Sequence, residues 1–168
     1  LSKCNKLDVY KLEKILARHS GITHLFLSDC SALKDIVGPY VIYKKHIAAV
    51  IQKYCPNLQV LYLNNTNITA FASEKKESVV FNNLRRVRVK NCKSLSVVNA
   101  EKCPKLIQFD DDGCDELKKE NKKLSPEYLL KMEKQKEENL KRKNRKVSYD
   151  DNSSLDGEES TEENARDE

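Results

Sequence analysis

The chain has 168 residues and a formal net charge of +5, and 34% of its residues are charged whereas 39% are hydrophobic. Globular domains average about 25% charged and about 45–50% apolar residues, so only part of this chain is expected to bury a core. With four glycines, no apolar run near 18 residues and no nucleophile beside a base, the sequence predicts neither a membrane span nor an enzyme, and it implies no cofactor.

A repeated pattern of leucines and cysteines runs from the first residue to Leu117. Near its end, leucines recur every 11 residues, at Leu84, Leu95, Leu106 and Leu117. The earlier segments LSKCNKL, ITHLFLSDC and LQVLYLNNT fit the same pattern. Because each unit of a repeat protein hides its apolar edge against the next unit, the pattern predicts a stacked repeat array. The pattern is already present at residue 1 without an initiator methionine, so the sequence is expected to be a fragment.

Each of the first two units is predicted to contain a strand, a loop and a helix. Apolar spacing predicts the first helix over residues 7–19 and the second from about 41 to 54. Pro56 cannot continue the second helix, and a strand is predicted over 58–63. The units from Leu84 onwards are shorter and are predicted to have extended segments in place of helices.

Composition divides the chain into three predicted regions. Residues 1–117 carry nearly all the core-forming side chains and are predicted to form four to five repeats. Residues 118–147 hold twelve Lys or Arg against five Glu, and a solvated helix is predicted there from 126 to about 143. Residues 148–168 contain nine acids and a single leucine and are predicted to be disordered.

The cysteines are predicted to be reduced and structural. Five of the six occupy the periodic position after a strand, where a small thiol behaves as a buried apolar group. A ladder of disulfides or metal sites is the alternative, but no CxxC pair occurs and the histidines lack metal-ligand spacing, so no metal is predicted. The run Asp110 to Gly113 lacks the distal Glu of a calcium loop. Asp111 falls on a core position and is interpreted as marking the end of the array.

Two segments resemble a known family. CPNLQVLYLNNTNIT and HSGITHLFLSDCSAL resemble the cysteine-containing leucine-rich repeats of F-box proteins, in which a helix ends at C-P-x-L and the strand runs L-x-x-L-x-L-x-x-C/T. The match covers about residues 1–80. It implies an α/β leucine-rich-repeat solenoid, with a parallel concave sheet and with helices and extended segments on the convex side. In the family such arrays capture a substrate while an F-box binds the Skp-type adaptor of a cullin ubiquitin ligase; no F-box is visible here.

Alternate strand residues are predicted to line the concave face as a protein-binding surface, because neighbouring side chains of a strand point to opposite faces. The predicted partner-binding residues are His24, Phe26, Val60, Tyr62, Asn64, Arg86, Arg88, Lys90, Gln108 and Asp110. Phe26, Tyr62, Arg88 and Asp110 are expected to form one row, and aromatic residues beside arginines are typical of interface hot spots. The alternative is that Arg88 only pairs with Asp110 and that the aromatic residues are ordinary surface side chains.

The favoured function is a module that binds a protein partner, with the substrate receptor of an SCF-type ubiquitin ligase as its specific form. The alternative is a nuclear or regulatory scaffold in which the acidic tail matters as much as the array; a GTPase-activating regulator is suggested by the fold alone. A nucleic-acid partner is disfavoured because an acidic strand follows the basic one. No small-molecule substrate is implied, and a monomer in the cytoplasm or nucleus is expected.

A basic cluster in the predicted C-terminal helix has three interpretations: a nuclear-import signal, a phosphate-binding patch or a solvated helix end. Its members are Lys141, Arg142, Lys143, Arg145 and Lys146.

Overall fold

The computed structural model describes residues 1–37, 44–73, 75 and 77–150, with side chains as far as 143. This part of the chain is a mixed α/β protein with two parallel sheets. The helices are α1 (Val9–Leu16), α2 (Ile47–Tyr54) and α3 (Pro126–Asp150). The strands are β1 (His24–Phe26), β2 (Val60–Tyr62), β3 (Ala70–Phe71), β4 (Arg86–Arg88), β5 (Val97–Ala100), β6 (Gln108–Asp110) and β7 (Lys122–Leu124). One compact unit spans Leu1–Lys131 and another spans Met132–Glu168.

The first sheet has the strand order β1-β2-β4-β6, and every neighbouring pair is parallel. The middle residue of each strand is buried and lies in register with the next one. These residues are Leu25, Leu61, Val87 and Phe109. The flanking residues of each strand are exposed or half-buried, which is the alternation that the L-x-L pattern predicts. The predicted parallel sheet is therefore confirmed.

The second sheet has the order β3-β5-β7 and is also parallel. The 11-residue step of the sequence alternates between the two sheets, since β4 and β6 belong to the first sheet and β5 belongs to the second. The extended segments predicted for the shorter units are thus present. Phe71 of β3 packs edge-on against Phe109 of β6, with ring centroids 5.8 Å apart, so the core lies between the sheets.

A residue with left-handed backbone precedes each periodic cysteine or threonine that follows a strand of the first sheet. The backbone φ angles lie between 55° and 73° at Lys3, Asp29, Asn65, Asn91 and Gly113. Asn, Asp and Gly adopt this conformation at lower cost than other residues, which explains four of these five residues, all but Lys3. The N–H groups of Asp29, Asn65 and Asn91 donate to carbonyls of the following strand segment at 2.8–2.9 Å, so the turns continue the hydrogen bonding of the sheet.

Gly113 is a turn residue at which an added side chain would clash with its surroundings. Its φ is +73°, and an added Cβ would lie 2.2 Å from Oδ1 of Asn91. Gly113→Ala is expected to lower the free energy of unfolding by about 1–2 kcal/mol, because an L-residue is strained in this conformation. Urea denaturation measures the loss. Gly21→Ala is the matched control, since nothing lies within 4 Å of its added Cβ; an equal effect at both glycines would contradict the prediction.

The cysteines of the described chain are free thiols, and four of the six are buried. The Sγ atoms of Cys92 and Cys114 donate to the carbonyl oxygens of Leu63 and Val89, at 3.1 and 3.0 Å. Thr66 occupies the same position in its unit, and its hydroxyl donates to Leu63 at 2.7 Å. Burial raises the pKa of the Cys114 thiol to about 11, so it stays protonated and remains a donor.

The bounds of all three predicted helices differ from those of the structure. Helix α1 spans Val9–Leu16 rather than residues 7–19. Helix α2 begins at Ile47 rather than near Val41, because Lys45 is extended and forms an antiparallel bridge with Ile36; residues 38–43 lie outside the described chain. Helix α3 continues to Asp150, beyond the predicted end near 143. No helix among the described residues has the length and apolar character needed to cross a membrane.

Strand β7 was not predicted. It lies beyond Leu117, where the leucine pattern ends, and pairs with β5. Leu124 and Tyr128 are buried, and the Tyr128 hydroxyl accepts a hydrogen bond from the Phe109 N–H at 3.2 Å. Packing against the core therefore continues into the first turn of α3. Of the acidic segment 148–168, the first three residues belong to α3. Residues 151–168 lie outside the described residues, so their predicted disorder stays a prediction.

Candidate protein-binding surface

The register of the first sheet arranges eight of the ten candidate residues in two rows. One row is His24, Val60, Arg86 and Gln108, and the other is Phe26, Tyr62, Arg88 and Asp110. The second row, which we call the aromatic–arginine row, is the one predicted from the sequence. Asn64 and Lys90 lie two residues beyond their strands, where the Lys90 N–H donates to Oδ1 of Asn64 at 3.0 Å.

Three adjacent side chains of the aromatic–arginine row contact one another. The rings of Phe26 and Tyr62 meet edge to face with centroids 5.1 Å apart, and the Arg88 Cζ lies 4.8 Å from the centroid of the Tyr62 ring. Phe26 is nevertheless 43% exposed. Contacts of these two kinds contribute about 0.5–1.5 kcal/mol each. They restrict the rotamers that these side chains adopt.

Asp110 pairs with Lys90 rather than with Arg88. The Lys90 Nζ lies 3.0 Å from carboxylate oxygens of both Asp110 and Asp112, and these hydrogen bonds raise the pKa of Lys90. Among the described residues, Arg88 forms no ion pair, and its buried Nε has no hydrogen-bond acceptor. The alternative in which Arg88 only neutralises Asp110 is therefore not observed, and the guanidinium retains an unused donor.

Asp111, the predicted break in the core pattern, has a specific partner. Its carboxylate lies 2.7 Å from the Lys122 Nζ of β7, and both side chains are largely shielded from solvent. The same ammonium lies 5.5 Å from the centroid of the Phe109 ring. The acid therefore attaches the last strand to the first sheet. Among the residues that the structure describes, no group of three or more His, Cys, Asp or Glu is arranged to hold a metal ion.

Sequence reasoning missed a buried polar centre at Asp35. The Asp35 carboxylate accepts hydrogen bonds from the backbone N–H groups of Ile47, Thr69 and Ala70, at 2.6–3.0 Å. The His46 Nδ1 lies 3.6 Å away, beyond normal hydrogen-bond length but close enough for an electrostatic contact. Burial, the largest single influence, raises the pKa of Asp35, but His46 and the N–H donors together outweigh it and lower the pKa. The only local signal was an acid within the apolar stretch ALKDIV.

The predicted basic cluster lies in α3. Lys141, Arg142 and Lys143 are exposed there, whereas the side chains of Arg145 and Lys146 are outside the described part. Its proposed role in nuclear import stays a prediction.

Comparisons of the chain with protein-family models, with curated proteins and with solved structures found no match. Fold and surface together define the chain as a mixed α/β protein whose first sheet carries an aromatic–arginine row that is exposed at Phe26 and half-buried elsewhere.

Proposed function

We propose that residues 1–131 form part of a leucine-rich-repeat solenoid that binds a protein partner on the face of its first sheet. Two observations support the solenoid. Successive units enter the first sheet in chain order and in parallel, as stacked turns of a solenoid do. In addition, each strand of the first sheet is followed by the same left-handed turn before the periodic cysteine or threonine.

The observation that carries the binding role is the state of Arg88. Its guanidinium lies against the Tyr62 ring, while its Nε has no acceptor among the described residues. Buried donors normally have partners. Arginine and tyrosine are enriched among the residues that dominate binding energy, and Phe26 extends the row with an exposed ring. A protein segment that brings an acceptor to the accessible part of the Arg88 guanidinium and an apolar group to Phe26 matches this row.

The resemblance to F-box leucine-rich repeats favours a substrate receptor of a ubiquitin ligase as the specific form of this function. Binding of a Skp-type adaptor by the full-length protein distinguishes this form from the alternative, a nuclear or regulatory scaffold that depends on the acidic tail. The scaffold form instead requires that deletion of 148–168 abolishes partner binding. Both forms use the array for protein binding.

The test replaces Tyr62 and Arg88 together by alanine. The double variant is expected to lose at least about tenfold in affinity for its partner, because hot-spot residues cost about 2 kcal/mol or more each when truncated. Affinity capture from extracts of the source cells, quantified by mass spectrometry, identifies the partner. Titration with the purified partner then measures the change in affinity.

The matched control replaces Tyr10 and Lys11 by alanine. This pair also removes one aromatic and one cationic side chain, but from the exposed surface of α1. Far-UV circular dichroism is expected to be unchanged for both double variants. Full partner binding by the Tyr62 and Arg88 variant, or equal loss by the control, would contradict the proposal.

A further inference from the structure

A basic cleft lies at the edge of the first sheet where β2, β4 and β6 begin. Its volume is about 360 Å³. Three cationic residues line it, Arg85, Lys105 and Lys131, together with the apolar residues Pro104 and Ile107. None of the described residues that line it is acidic. The cleft shares no lining residue with the aromatic–arginine row, so the partner proposed for that row does not account for the charge of the cleft.

The positive charge of this cleft is not neutralised by its surroundings. The Lys105 Nζ donates to Oδ1 of Asn83 at 2.8 Å, across a spacing of 22 residues. At the same spacing, Lys93 forms an ion pair with Asp115 at 2.6 Å. The partner of Lys105 is therefore a neutral amide, which leaves the charge of the ammonium uncompensated. Within the described chain, Arg85 and Lys131 also form no ion pair.

We propose that this cleft binds the phosphoryl group of a peptide phosphorylated on serine or threonine. Arginine presents a planar fork that matches phosphate oxygens, and lysines add point charges around it. A phosphoryl group carries a charge of about −1.5 to −2 near neutral pH, so it balances three cations better than a single carboxylate does. Ile107 is 42% exposed in the same cleft and fits an apolar side chain next to the phosphorylated residue.

A nucleic acid fits the cleft less well than a phosphopeptide. Duplexes and single strands need a track of cations that follows many phosphates. Here the three cations converge on one small cleft, and the first sheet beyond it carries Asp110 and Asp112 at its β6 end. A single dianionic group with an apolar neighbour matches both the charge and the lining.

The test titrates the full chain into a labelled alanine-rich peptide that contains one phosphoserine followed by leucine. Fluorescence anisotropy of the peptide measures binding. The full chain is expected to bind this peptide at least tenfold more tightly than the same peptide with serine. Asn83→Asp is expected to weaken binding about tenfold, because it places a carboxylate beside Lys105 and neutralises it. Arg85→Ala is expected to weaken binding further, since the bidentate donor is lost.

Each variant has a control with the same change in net charge. Asn121→Asp adds an acid at an exposed position outside the cleft, and Lys93→Ala removes a cation outside the cleft. Both controls are expected to bind the phosphopeptide as the unmodified chain does, and all four variants are expected to keep its melting temperature.

Three outcomes would overturn the proposal. The first is equal affinity for the phosphoserine and serine peptides. The second is equal loss in the cleft variants and their controls, which would indicate general charge attraction. The third is equal or tighter binding of a glutamate peptide or a single-stranded oligonucleotide, which would assign the cleft to a carboxylate or to nucleic acid. None of these outcomes bears on the aromatic–arginine row, so the two proposals fail independently.

Discussion

Replacing Leu61 by Asp is expected to unfold the compact unit Leu1–Lys131. Leu61 has no solvent exposure and lies at the centre of the first sheet, in register with Leu25 and Val87. A buried carboxylate without a partner costs several kcal/mol, and loss of the leucine contacts adds about 2–5 kcal/mol. The sum is comparable with the entire stability of a domain, about 5–15 kcal/mol. Circular dichroism and thermal denaturation measure the loss.

Val60→Asp is the matched control for this substitution. Val60 is the neighbouring residue of the same strand, but it is only half-buried because its side chain points to the opposite face. The control is expected to change the free energy of unfolding by no more than about 1 kcal/mol. An unchanged melting curve for Leu61→Asp, or equal loss in both variants, would contradict the assignment of the two sheet faces.

Replacing Asp35 by Asn is expected to lower the free energy of unfolding by about 3 kcal/mol. The carboxylate accepts bonds from three backbone N–H groups, among them the Ile47 N–H at the start of α2 and the Thr69 N–H before β3. An amide has only one oxygen, so at least one of these three backbone N–H groups would face the NH₂ group of the new side chain and lose its acceptor. Urea denaturation at pH 7 measures the change. Asp29→Asn is the control, since Asp29 is only half-buried, and it is expected to have a much smaller effect.

The stability that Asp35 provides should also depend on pH in a defined direction. The folded-state pKa of Asp35 is lower than the ordinary aspartate pKa of about 3.9. The charged carboxylate therefore stabilises the fold fully at every pH well above the ordinary pKa. This contribution is lost as the pH falls through the folded-state pKa. The difference in stability between the unmodified chain and Asp35→Asn should therefore shrink below about pH 4. A difference that is constant down to pH 2 would contradict the prediction.

The sequence predicts the first sheet well because the information is local and repeated. Alternating burial and the periodic cysteine or threonine, which follows each of these residues by four positions, are enough to align Phe26, Tyr62 and Arg88 before any coordinates exist. The positions of the strand residues then follow from one parallel register. The same periodicity gives the extended segments of the shorter units.

Features that depend on contacts between distant segments were not predictable in this way. Asp35 gains its role from N–H groups that begin α2 and precede β3, and Lys122 is recruited by Asp111 although no leucine pattern marks its strand. The basic cleft combines Arg85 and Lys105 with a lysine of α3, which no single motif contains. Tertiary contacts of this kind leave no periodic signal in the sequence.

Site-specific photocrosslinking tests the claim that the aromatic–arginine row contacts a protein partner. A photoreactive phenylalanine replaces Phe26 in one variant and Tyr10, which is 54% exposed on α1, in the other. After irradiation in extracts of the source cells, the variant at Phe26 is expected to give one adduct of defined mass, and the variant at Tyr10 is expected to give none. Equal crosslinking from both positions, or crosslinking from Tyr10 alone, would contradict the claim.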